Sequence, residues 1–250
     1  MLTATTLAGF IMFSWPFFTN STSGRVDAPF VVIGLLPILV LLAIVEISEA
    51  GMDSKVLAIL GVLTAINSLL RALSAGTAGV ELIFYLIILA GRVYGPAFGF
   101  LLGSTTIFTS AILTSGVGPW MPFQMLAASW VGLGAGLLPK RFTGKSEIVL
   151  LAAYGVLSAY VFGILMNLAG WPFFLGVESA GSQGSLAFVA GDPVSENLHR
   201  FAIYTLLTST GGWDTVRAIT SATAIALLGP PVLKTMRRTA LRVQVKMTVR

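Results

Sequence analysis

Eight apolar runs organise the chain: Leu2–Phe18, Pro29–Val45, Val56–Leu73, Val80–Ala90, Ala97–Leu113, Met121–Leu138, Ile148–Ala169 and Trp213–Leu233. All but Val80–Ala90 approach the roughly 20 residues that a helix needs to cross a hydrocarbon core about 30 Å thick. No Asp, Glu, Lys, Arg or His falls at the predicted centre of any run. A backbone in lipid must satisfy its own polar groups, so only helices or closed barrels are possible. The runs far exceed the roughly 10-residue alternating strands of a barrel. The predicted fold is therefore an all-α integral membrane bundle of about eight spans.

Composition supports this reading. Charged residues make up 10% of the chain and apolar residues 56%, with a mean hydropathy of +0.90. A soluble domain carries about 25% charged residues, so a soluble enzyme, a secreted disulfide scaffold, a disordered hub and a nucleic-acid-binding domain all fit poorly. There is no Cys, and His199 is the one histidine, which excludes thiolate chemistry and Cys- or His-rich metal sites. No Walker loop, HExxH pair or nucleophile triad is present. No catalytic residue, metal or cofactor is expected. The charge-free centre argues against an ion-coupled transporter or proton relay, which usually carries ionisable residues at mid-membrane.

Charge asymmetry sets orientation. Lys55, Arg92, Lys140, Arg141, Lys145 and the six basic residues from Lys234 to Arg250 fall on one side; Arg25, Arg71, Arg200 and Arg217 fall on the other. The positive-inside rule makes the first side cytoplasmic, with both termini there. This parity requires that Leu198–Thr210, about 20 Å long as a helix, be an interfacial or capping helix and not a span. Leu2–Phe18 lacks a basic leader and a small-residue cleavage site, so it reads as a span and not as a signal peptide. The basic tail reads as a juxtamembrane segment beside anionic lipid, not as a nucleic-acid arm.

Three clusters stand apart from the apolar runs. Gly91–Gly103 is a tight inner turn in which Gly95 permits unusual backbone angles, Pro96 opens the next helix, and Gly99 and Gly103 form a close-packing face. Ser115–Met125 holds two prolines and two glycines at the outer end of two spans. Within it, Trp120, Phe123 and Gln124 offer ring surfaces and an amide, which suits an uncharged ring-containing solute. Trp213–Arg217 opens the last span, with Asp214 and Arg217 three apart and able to pair. Arg71 and Glu81 flank the Ala72–Val80 loop and could pair across it, or one could face a solute. Asn67 and Asn167 are polar exceptions inside spans, explained by helix–helix hydrogen bonds.

Taken in order, Asn67–Arg71, Gly91–Gly103, Gly116–Met125 with its Gly118-Pro119-Trp120-Met121-Pro122-Phe123-Gln124-Met125 core, Gly132–Pro139 and Trp213–Ala218 resemble the substrate-binding (S) component of energy-coupling factor vitamin transporters. The resemblance covers Lys55 to Arg238. It implies a six-helix core that binds a vitamin or related micronutrient near the outer surface of the bacterial plasma membrane. It also implies partners: a transmembrane coupling subunit and two cytoplasmic ATPases. The bound S component would topple in the bilayer to release its cargo inside. Residues 1–50 would be an extra transmembrane hairpin, 55–238 the core and 239–250 a basic cytoplasmic tail. The coupling subunit would dock on Ala58, Gly61 and Ala65, which share one face of the first core helix. The outward pocket would use Arg71, Glu81, Trp120, Gln124, Trp213, Asp214 and Arg217, with the Ala72–Glu81 and Trp171–Asn197 loops. By family analogy cobalamin or a corrinoid precursor leads, with riboflavin-like and deazapurine compounds open.

Two other classes compete. An autonomous facilitator or channel would transport without any ATPase. A non-transport assembly subunit would copurify with proteins and bind no small solute.

Overall fold

A computed structural model describes residues 9–14, 45, 54–74, 79–118, 120–175, 177–178, 186–189 and 191–248. The expected N-terminal hairpin lies outside them except for 9–14 and 45. Residues 9–13 are helical. Phe10 stacks on Trp130 at 5.1 Å, and Phe13 meets the edge of Phe123 at 5.3 Å.

Six helices form the described core: α1 Ser54–Ser74, α2 Ile83–Tyr94, α3 Pro96–Leu113, α4 Met121–Leu137, α5 Lys145–Leu175 and a final helical run. That run comprises α6 Val194–Thr205, a π-helical segment Leu206–Asp214 and α7 Thr215–Thr248. A two-residue parallel pair, β1 Val177–Glu178 with β2 Phe188–Val189, lies between α5 and α6. Among the described residues, four stretches are long and apolar enough to cross a membrane: Ser54–Ser74, Pro96–Leu113, Lys145–Trp171 and Val194–Arg242.

The short run becomes the centre of the bundle. Ile83 to Gly91 in α2 are all buried, as expected of a helix that is apolar all round. α1, α3, α4, α5 and α7 all pack against it. Its 12 residues span only about 18 Å, which protein rather than lipid surrounds. Gly95, at φ 100°, ends α2 and lets Pro96 begin α3. α3 and α4 then approach closely, because a Cβ on Gly99 would strike the Gly132 carbonyl and one on Gly103 would strike the Ala128 carbonyl. α1 is tied to α3 by polar side chains: Thr64 to Thr105 at 2.8 Å, Asn67 Nδ2 to Thr106 Oγ1 at 3.2 Å and Ser68 Oγ to the Thr106 carbonyl at 3.2 Å. Asn167 Nδ2 donates to Ser209 Oγ at 2.7 Å. Both asparagines thus bond between helices.

The expectation for Leu198–Thr210 needs correction. This stretch is not a separate interfacial helix; it is the first part of one continuous helical run ending in α7. Gly211 and Gly212 do not break the helix. They lie in π-helical turns, where wider i→i+5 bonding continues the chain direction. The chain does not turn back between Leu198 and Trp213, so the stretch adds no crossing of its own.

Candidate functional site

α2 runs from one end of the bundle, at Glu81 and Ile83, to the other, at Arg92 and Tyr94. Each end carries an arginine–carboxylate cluster and, among the described residues, a lined hollow: a groove of about 520 Å³ beside Glu147 and Arg237 and, at the Glu81 end, a cavity with aromatic and charged walls. This cavity measures about 270 Å³ and is lined by Arg71, Ser74, Gly79, Val80, Glu81, Thr114, Gly116, Trp120, Trp213 and Arg217.

The C-terminal turn of α1 supplies Arg71. Its Nη1 donates to Ser110 Oγ on α3 at 3.0 Å and its Nη2 to Gln124 Oε1 on α4 at 3.0 Å. Its Nε is buried and has no hydrogen-bond partner among the described residues. Of the two readings open for Arg71 and Glu81, a pair across the loop does not form among the described residues, and both side chains line the cavity. Glu81 instead pairs with Arg217 Nε, because α2 and α7 both begin at this end and bring those side chains face to face.

The π-helical segment supplies the opposite wall. Asp214, its last residue, is 1% exposed. It accepts from Ser209 Oγ at 2.7 Å and pairs with Arg217 Nη1 at 2.7 Å. Thr215 Oγ1 bonds back to the Thr210 carbonyl at 2.6 Å, five residues earlier, and to Tyr160 on α5 at 2.9 Å. The Arg217 guanidinium also lies over the Phe162 ring at 5.1 Å. Two glycines admit this arrangement. Gly79, at φ +94°, lays its backbone on Trp213, where a Cβ would sit 2.6 Å from the carbonyl oxygen. Gly163 on α5 leaves the space that the Asp214 carboxylate occupies.

Of the seven residues expected at the site, Arg71, Glu81, Trp120, Trp213 and Arg217 line the cavity. Gln124 stands behind Arg71 and Asp214 behind Arg217. Phe123 does not reach the cavity; it is buried against Phe13. Trp171 is likewise buried, in a separate cluster with Phe188, Phe201 and Tyr204, and its Nε1 donates to the Leu186 carbonyl at 2.7 Å. Asn197 pins β2 through both Val189 backbone groups. The described part of the Trp171–Asn197 loop therefore packs on itself. Sequence reasoning included the Ala72–Glu81 loop that holds Gly79, but missed Ser110, Thr114, Ser209 and Gly163, which no local pattern singles out.

At the opposite end the arginines are spent on a carboxylate and on backbone carbonyls. Arg92 Nε pairs with Glu147 at 2.7 Å, and its Nη1 and Nη2 cover the Leu138 and Phe142 carbonyls past the end of α4 at 2.9 and 3.1 Å. Arg237 on α7 adds a second bond to Glu147 at 2.6 Å. Lys145, Lys234 and Arg238 gather around the same groove. Among the described residues no group of three or more His, Cys, Asp or Glu could hold a metal ion. Ala58, Gly61 and Ala65 are exposed on α1, and no described atom lies within 4 Å of a Cβ built on Gly61.

A family model described as ECF transporter, substrate-specific component, matches residues 55–232. The chain belongs to this family. It is therefore a transporter component and a multi-pass membrane protein. The match begins at the foot of α1 and ends within α7, so it takes in every residue that lines the cavity. No curated protein and no solved structure matched the chain.

Proposed function

We propose that this S component captures a vitamin-like solute in the cavity between Arg71, Trp120, Trp213 and Arg217 and passes it inward with a coupling subunit and two ATPases. One observation carries the assignment: five of the seven residues expected from sequence, drawn from four separate stretches of chain, line a single cavity at the end away from the basic residues. Lysines and arginines favour the cytoplasmic side. The Lys145, Lys234, Arg237 and Arg238 end is then inside, and the cavity opens outward. Both termini would be cytoplasmic.

Trp120 and Trp213 are 46% and 48% exposed and present ring faces to a planar solute. The volume of about 270 Å³ lies just below the roughly 300–1,000 Å³ of ordinary small-molecule clefts. It suits a one- or two-ring solute; a corrinoid would extend beyond it. The exposed Ala58, Gly61 and Ala65 face offers the coupling subunit a surface for close helix packing.

The test is purification of the full chain from cells grown in rich medium, followed by mass spectrometry of whatever small molecule denaturation releases. A stoichiometric micronutrient, recovered at lower occupancy from Trp120→Ala, is the expected result. Its absence would favour an assembly subunit. Uptake that survives deletion of every candidate ATPase would favour a facilitator.

A further inference from the structure

We propose that the captured solute carries an anionic group, a carboxylate or a phosphate, and that Arg71 receives it. The inference rests on reading the cavity as the solute site and adds the charge of the cargo. Two arginines line that cavity, and they stand in opposite electrostatic situations. Arg217 lies between Glu81 and Asp214, and each carboxylate takes one of its guanidinium nitrogens. This trio has one more negative charge than positive. Arg71 has no carboxylate within ion-pair distance among the described residues; Glu81, whose charge reaches it from farther off, is itself bonded to Arg217. The two hydrogen-bond partners of Arg71, Ser110 Oγ and Gln124 Oε1, are neutral, and its Nε has none.

A cation taken partly out of water with no carboxylate bonded to it is costly. A guanidinium retains that cost usefully where an anion arrives to share its planar donor fork. The surplus negative charge of the Arg217 trio would repel an anion from the α7 side and turn it toward α1. The Trp120 and Trp213 faces would then hold the rest of the solute. From sequence, Trp120, Phe123 and Gln124 pointed to an uncharged ring. In the fold Phe123 is buried, and the Gln124 carbonyl is turned onto Arg71. The cavity-lining group that Gln124 supports is the Arg71 cation.

Arg71 also ties α1 to α3 and α4, so its removal could act through the fold alone. Gln124→Glu avoids this difficulty. It keeps the side-chain length and supplies Arg71 with the carboxylate it lacks. The full chain, stripped of bound solute, would be titrated by calorimetry with acid and neutral pairs: nicotinate and nicotinamide, biotin and biotinamide, pantothenate and pantothenol, pyridoxal 5′-phosphate and pyridoxal. Any molecule released from the freshly purified chain would be identified and classed by its own charge.

The expected result is that an acidic or phosphorylated molecule binds at least tenfold more tightly than its neutral partner. Gln124→Glu would weaken that binding at least tenfold with no fall in melting temperature. A neutral molecule bound equally well, a neutral released solute, or an acid whose affinity ignores Gln124→Glu would overturn the anion proposal and leave the S-component reading standing. If nothing binds and nothing is released, the solute-site reading itself fails and takes the anion proposal with it.

Discussion

The two ends of the bundle use the same chemistry to different effect. At the basic end, Arg92 spends its donors on Glu147 and on carbonyls beyond α4, and Arg237 closes the pair from outside. Both Arg92 and Glu147 are almost fully buried there, with side chains 5% and 2% exposed. At the cavity end, Arg217 is bonded to two carboxylates, whereas Arg71 lines an open space with neutral partners only. A closed knot fastens helices together. An open one holds helices and leaves capacity for a guest.

This contrast can be broken by mutation. The largest effect is expected at the basic end. Glu147→Ala strands two cations, one of them buried, and should cost about 3–5 kcal/mol of stability, read by thermal or denaturant unfolding in detergent. The folded fraction should still bind solute with unchanged affinity, and a selective loss of binding would refute the division between ends. Gly163→Ala comes next. Its methyl would enter the space of the Asp214 carboxylate, at an overpacking cost of about 1–3 kcal/mol. Solute affinity should also fall, although residue 163 does not line the cavity. Unchanged affinity would show that the Asp214 position is irrelevant to binding.

Trp120→Ala should weaken solute binding by about 0.5–1.5 kcal/mol, the worth of a ring contact beyond area, while leaving the melting temperature near wild type because the ring is half exposed. Gly61→Leu should do least to the isolated chain. Nothing described lies within 4 Å of the added Cβ, so stability should shift by no more than about 0.5 kcal/mol and solute affinity should hold. Copurification with the coupling subunit should be lost. Intact copurification would remove α1 from the docking surface.

Local features were legible in the sequence, and features that depend on distant contacts were not. The Gly95-Pro96 junction and the Gly99–Gly103 face depend on residues close in the chain, and both appear as expected. Asp214 and Arg217, three apart, meet as expected. Glu81 was harder, because two arginines lay within plausible reach and the choice between them depends on where α7 begins. The Gln124–Arg71 bond joins residues 53 apart and leaves no local signature. Phe123 and Trp171 were misjudged because aromatic identity does not distinguish a ring that faces a solute from one that fills a core. The Leu198–Thr210 stretch was read as a separate short helix because its apolar length was measured alone, whereas π-helical turns carry the helix through Gly211-Gly212 into α7.

The central claim is that the cargo sits among Arg71, Trp120, Trp213 and Arg217. An experimental density map of the chain purified with its solute tests it most directly. The account predicts density for one molecule in that cavity, with an acidic group toward Arg71 and a ring against a tryptophan. Solute density in the groove beside Glu147 and Arg238, with the Arg71 cavity filled by side chains, would contradict it.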